Sequence, residues 1–179
     1  MANVFDVADF FIQIANQSED DQMTNLKLNK LLYYAQGVYL ARTGRPLFDE
    51  NIEAWTFGPV IPNIYRKYKV CGRNPIASSD DIVDRSHFTS EELETLLDVM
   101  REFGQYTGTA LVTMTHRAGT PWSDTNSAGK TVINQNLIKA YFLAHPVPKF
   151  TETISVPKVH ALPSEWYNAE EDAEWEAYL

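Results

Sequence analysis

The chain has 179 residues, 44% of them hydrophobic and 22% charged, with a formal net charge of −9. A chain of this length fits one domain around a single core, and its acidity disfavours sequence-independent binding to nucleic acid, whose phosphates it would repel. No apolar run approaches the ~20 residues of a membrane-spanning helix, and a single cysteine, Cys71, allows no internal disulfide, which suits a reducing cytoplasm.

In chain order, residues 4–16 space Val4, Val7, Ala8, Phe11, Ile12 and Ala15 as one helix face, with Asn3 as N-cap. The opening segment has no basic residue ahead of its apolar stretch, so a secretory signal is not expected. After a polar loop at 18–22, a second helix starts near Thr24 or Asn25 and ends at Gly44, a residue suited to the left-handed C-terminal cap. Leu28, Leu31, Leu32, Ala35, Val38 and Tyr39 form its stripe, and Tyr33 and Tyr34 widen the apolar arc, which predicts a central helix. Alternation from Ile52 to Phe57 predicts a short strand that Gly58-Pro59 breaks. Pro62 then suits the first turn of a short helix carrying Ile64, Tyr65 and Tyr68.

Residues 73–88 read as an exposed loop with room for one edge strand. Thr89 and Glu92 form a capping-box pair ahead of Leu93, Leu96, Leu97, Met100 and Phe103. Thr107 or Thr109 caps the next helix, which finishes around His116–Gly119. Asn134 caps a last one bearing Leu137, Ile138, Tyr141, Phe142 and Leu143. The reading is a mainly α, compact single-domain bundle of about six helices with one or two short strands. The expected division is a domain over 1–146 and, over 147–179, a proline-containing linker with an acidic, aromatic C-terminal extension.

Local chemistry is sparse. His87, His116, His145 and His160 are far apart and form no metal-binding pattern, so neither a metal nor a cofactor is expected. His116 near a helix end suits a bond to free carbonyls as well as it suits catalysis. Ser127 to Thr131 imitates the end of a phosphate-binding loop, but Asp124 stands where that loop needs glycine and would repel a polyphosphate. No GxSxG nucleophile motif is present, and Glu91 with Glu92 read as a solvated pair. Gly58 to Pro62 is either an active-site turn or a rigid corner, and Trp55 and Trp122 are either ligand-stacking or core aromatics. Nothing here calls for an enzyme.

Several linked motifs stand in order: Lys27-Leu28, Lys30-Leu31-Leu32-Tyr33-Tyr34-Ala35-Gln36-Gly37, Gly44 with Pro46-Leu47-Phe48, Ile52-Glu53-Ala54-Trp55, Gly58-Pro59-Val60 with Pro62 and Tyr65, and Thr115-His116 ahead of Gly119-Thr120-Pro121-Trp122. With them the sequence resembles the Panacea domain, the family of SocA-like antitoxins also found as phage-associated proteins, over about residues 4–145. The resemblance implies a non-enzymatic, cytoplasmic antitoxin that neutralises a cognate toxin encoded beside it. Direct protein–protein binding is the usual implied mode, and delivery of the toxin to a cytoplasmic protease is the alternative. A hydrolase using His116 and a DNA-binding autoregulator are further alternatives. The residues after about Pro146 do not follow the family pattern.

Two surfaces are candidates for toxin contact. One is the basic corner at Arg66, Lys67 and Lys69. The other is the end of the chain, where Tyr167, Glu171, Glu174, Trp175 and Tyr178 share one helical face and Trp166 points the other way. Aromatic anchors ringed by charge are frequent at interfaces. Contact of that end with the chain's own basic stretch, Lys27–Arg73, is equally consistent.

Overall fold

The computed structural model describes residues 1–18, 22–78 and 81–150. In order these form α1 (Val4–Ala15), α2 (Asn25–Thr43), β1 (Glu53–Trp55), β2 (Gly58–Val60), α3 (Pro62–Tyr68), α4 (Ser90–Phe103), α5 (Gly108–Thr115), α6 (Pro121–Ser127) and α7 (Gln135–Ala144). Seven α-helices are thus present among the described residues, against about six expected. The extra one is α6, capped by Thr120 with Pro121 in its first turn. Its short span carries no apolar repeat, so periodicity gives no sign of it.

The architecture is organised by α2. It begins where the Thr24 hydroxyl accepts from the Lys27 amide and ends at Gly44, whose φ of 74° is left-handed. Every residue from Asn25 to Leu40 is buried, and α1, α3, α4, α5, α7 and β2 all pack around it. A helix enclosed on all sides must find internal partners for its polar residues, because an unpaired buried polar group costs about 1–3 kcal/mol. Close packing reaches its limit at Gly37, where an added Cβ would lie 2.1 Å from the Phe142 ring of α7.

Gly58-Pro59 does not end the extended structure. The chain reverses at Thr56-Phe57, and β2 pairs antiparallel with β1 in the register Glu53 with Val60, Ala54 with Pro59 and Trp55 with Gly58. Gly58 adopts φ 102°, which side-chain-bearing residues rarely take. The other side of β1 is covered by the 131–133 segment, through Ala54 N–H to Thr131 O (2.7 Å) and Ile133 N–H to Ile52 O (2.9 Å).

Three burial expectations are corrected. Glu92 is buried rather than solvated: it accepts from the Thr89 amide at 2.9 Å and lies 3.5 Å from the Met1 ammonium. On α4 the inward face runs through Thr95, Leu96, Asp98, Val99 and Phe103, leaving Leu97 52% exposed. The rotation follows from Asp98, which turns inward to meet Arg42 at 2.8 Å. On α7, Ile138 and Phe142 are the buried apolar anchors, while Leu137 and Leu143 stay exposed. The described part of 73–88 carries a 3-10 turn at Arg85–His87 and no strand, and Ile76 anchors it by donating its amide to Met23 O at 2.8 Å.

Candidate functional site

The motif residues converge on the contact between α2 and the hairpin. Asn25 and Asn29 lie one turn apart on α2. Asn29 donates to the Asn25 carbonyl and side-chain oxygens at 2.9 Å and accepts the Ile61 amide at 3.0 Å. Asn25 donates to Tyr65 O at 3.1 Å. Between them the two asparagines pin the start of α3. Lys30, fully buried, donates to Pro59 O at 3.0 Å. Its aliphatic chain fills the space that only Gly58 leaves open: a Cβ there would stand 2.7 Å from Lys30 Cε and 2.8 Å from Thr115 Oγ1. Burial lowers the Lys30 pKa to about 7.

Beside this amine the α5–α6 corner places its aromatic pair. Thr115 donates to Val112 O at 2.8 Å, and Thr120 donates to Thr115 O at 2.6 Å while capping α6. The corner stacks the His116 ring on Trp122 at 3.9 Å and 14°. Trp122 in turn donates to Trp55 O at 2.8 Å, tying α6 to β1. Trp55 donates to Glu53 Oε2 at 2.7 Å and meets Tyr65 edge-on at 4.8 Å. His116 does not cap its helix through the ring: Nε2 is buried without a hydrogen-bond partner, and burial, with Lys30 nearby, lowers its pKa to about 4. Lys30 has no exposed surface through which a reactant would meet it.

The remaining motif positions also hold the core. Lys27 donates to Gly104 O, joining α2 to the end of α4. Gln36 acts as a surrogate strand for the loop after Gly44: it donates to Phe48 O at 2.9 Å and accepts from the Leu47 and Phe48 amides at 2.8 and 3.2 Å. Tyr34 stacks on Phe103 at 3.9 Å, and Tyr33 meets Phe142 edge-on at 5.7 Å. Burial raises both phenol pKa values. Pro62 opens α3 and Pro121 opens α6.

The basic candidates lie outside this cluster. Arg66 is exposed and donates to Asn63 Oδ1 at 3.0 Å. Lys67 sits 3.9 Å from Asp9 and 5.0 Å above the Phe5 ring. Lys69 is exposed in a 3-10 turn next to Val70, which is 90% exposed. Trp166, Tyr167, Glu171, Glu174, Trp175 and Tyr178, with His160, lie outside the described residues. No group of three or more His, Cys, Asp or Glu capable of holding a metal occurs among the described residues, and no helix there is long and apolar enough to cross a membrane.

Comparison with known proteins bears on the same segment. The sequence model of the family described as "Antitoxin SocA-like, Panacea domain" matches residues 28–123, from α2 into α6. The chain belongs to this family. Antitoxin SocA of Caulobacter vibrioides (strain NA1000 / CB15N) is 36% identical over 112 residues, which cover 58% of this chain and 60% of that protein. The match thus spans less than two thirds of that relative's length. No solved structure matches the chain. The Panacea match takes in the hairpin, the α5–α6 corner and most of α2, and so contains Asn29, Lys30 and Trp122.

Sequence reasoning passes over Asn25, Asn29 and Asp98. The signal available for the first two is a polar pair at i, i+4 on a helix whose wide apolar arc predicts a central position.

Proposed function

We propose that this protein is an antitoxin that neutralises a cognate toxin by direct protein–protein binding, making and breaking no covalent bond itself. The observation that carries the reading is the Panacea match, joined to what its residues do here: they are spent on holding α2, the hairpin and α6 together. A domain that invests its distinctive side chains in its own interior is suited to presenting an exterior. His116 gives the hydrolase alternative little support, because its ring is stacked on Trp122 and the group acting on its charge is Lys30, a cation.

The toxin contact is placed on the exposed end of α3, at Arg66, Lys67 and Lys69 around Val70. Cations bordering an exposed apolar residue suit a partner surface with carboxylates around a shallow apolar recess. The C-terminal group from Trp166 to Tyr178 is a second proposed contact, tested by deleting residues 164–179.

The protein should be co-expressed with the product of the neighbouring gene. Restored growth and co-purification of the two chains are expected. The double reversal Arg66→Glu, Lys67→Glu should weaken the complex roughly tenfold or more, mainly through slower association at low salt. An unchanged dissociation constant would move the contact elsewhere. Growth restored by disappearance of the toxin, followed by immunoblot, would replace blocking with proteolytic delivery.

A further inference from the structure

The segment 131–133 lies against β1 on the side away from β2. Ala54 N–H donates to Thr131 O and Ile133 N–H to Ile52 O, so Glu53 and Val132 face each other as the non-hydrogen-bonded pair of an antiparallel bridge. The alternation of an extended chain then turns the N–H and C=O of Val132 away from β1. Neither meets a hydrogen-bond partner among the described residues. The segment is fixed at both ends: Lys130 N–H donates to Thr125 O at 3.1 Å, and Asn134 caps α7 by accepting from the Asn136 amide. Val132 is 43% exposed, and Leu137, in the first turn of α7, is 42% exposed. Lys130 is the one charged residue from 125 to 138, and it is exposed.

We infer that, given the direct binding proposed above, this edge takes an extended segment of the toxin, which joins the sheet by exchanging main-chain hydrogen bonds with Val132. A bare N–H and C=O on a fixed edge are a template for one more strand, because pairing satisfies both groups as water is displaced. The edge is short and carries a lysine, two devices by which sheets avoid indiscriminate pairing. It therefore holds a strand only where side chains add to the main-chain bonds. Val132 and Leu137 suit an apolar residue of the incoming segment, and Lys130 suits a carboxylate. Charge also selects the occupant. Two copies of this chain meeting here would bring −9 against −9, and the stretch from 125 to 138 holds no carboxylate for the other copy's lysine. A toxin segment with an acidic side chain meets a cation there and no like charge.

The test uses the full chain and its complex with the product of the neighbouring gene. Hydrogen exchange of the Val132 amide should slow roughly tenfold or more when the complex forms. An unchanged rate would overturn the assignment. Slow exchange already present in the free chain, and strengthening with its concentration, would give the edge to a second copy and overturn it as well. Val132→Pro removes the outward donor and none of the bonds to β1, so α2 should keep its protection while the complex weakens roughly tenfold or more. Val132→Thr, which keeps the donor, should bind nearly as the parent does. Equal dissociation constants for the parent and Val132→Pro would overturn the assignment, and if that variant fails to fold, the exchange rate of the unaltered chain decides. A complex that forms without using the edge leaves the antitoxin reading standing. No complex at all would remove direct binding, and the edge contact with it.

Discussion

Lys30 carries its amine into the core, where none of its surface is exposed. Its pKa falls to about 7 because burial penalises the cation, and its bond to Pro59 O serves the neutral amine as well as the charged one. The folded chain therefore binds this proton less readily than the unfolded chain, whose lysine titrates near 10.5. Between those two values the unfolded state holds more protons, so stability rises as pH rises from about 7 to 10.5 and is lowest below 7. Lys30→Met, close in volume and unable to titrate, should flatten this rise, a change on the order of a few kcal/mol across the window. Urea midpoints of both proteins at about pH 7 and about pH 10 check it. Parallel pH profiles would mean that the folded amine titrates like an exposed one.

At the scale of elements, the closest approach is between α2 and α7 at Gly37. Gly37→Ala would place a methyl group inside the Phe142 ring, so α7 must shift, and the expected cost is about 1–3 kcal/mol by thermal or urea unfolding. Combining it with Phe142→Leu, which makes room, should cost less than the sum of the single changes. The caps at Asn3, Gly44, Thr89 with Glu92 and Asn134 were legible in the sequence, and the starts of α2 and α5 to within two candidates each (Thr24 or Asn25, Thr107 or Thr109), because a cap is a bond between near neighbours. The second strand was not: Gly58-Pro59 looks like a breaker until β1 lies opposite it, with the Lys30 chain filling the space a Cβ would need. The inward turn of α4 was hidden for a similar reason, since it answers to Arg42, far away in the chain. The site divides in the same way. Lys30, Gln36, Trp55, His116 and Trp122 could be named from their motifs, yet their joint task rests on contacts such as Asn29 to Ile61 that leave no local trace.

Across the whole molecule, Asp98 joins three regions. It meets Arg42 of α2 at 2.8 Å, Arg101 of its own helix at 3.3 Å and the Phe150 amide at 3.1 Å. Removing a carboxylate from a largely buried pair leaves a cation without compensation, which typically costs 3–5 kcal/mol. Asp98→Ala should therefore destabilise the chain by about 3 kcal/mol, and limited proteolysis should show faster cleavage after residue 146 than in the parent. Unchanged cleavage would mean that residues 147–150 are held by other contacts. The full enclosure of α2 reaches further than stability. Positions facing solvent carry little folding free energy, with substitutions usually worth less than about 0.5 kcal/mol either way. Substitutions on the outside of this molecule should therefore change its surface while the enclosed framework goes on assembling unaltered.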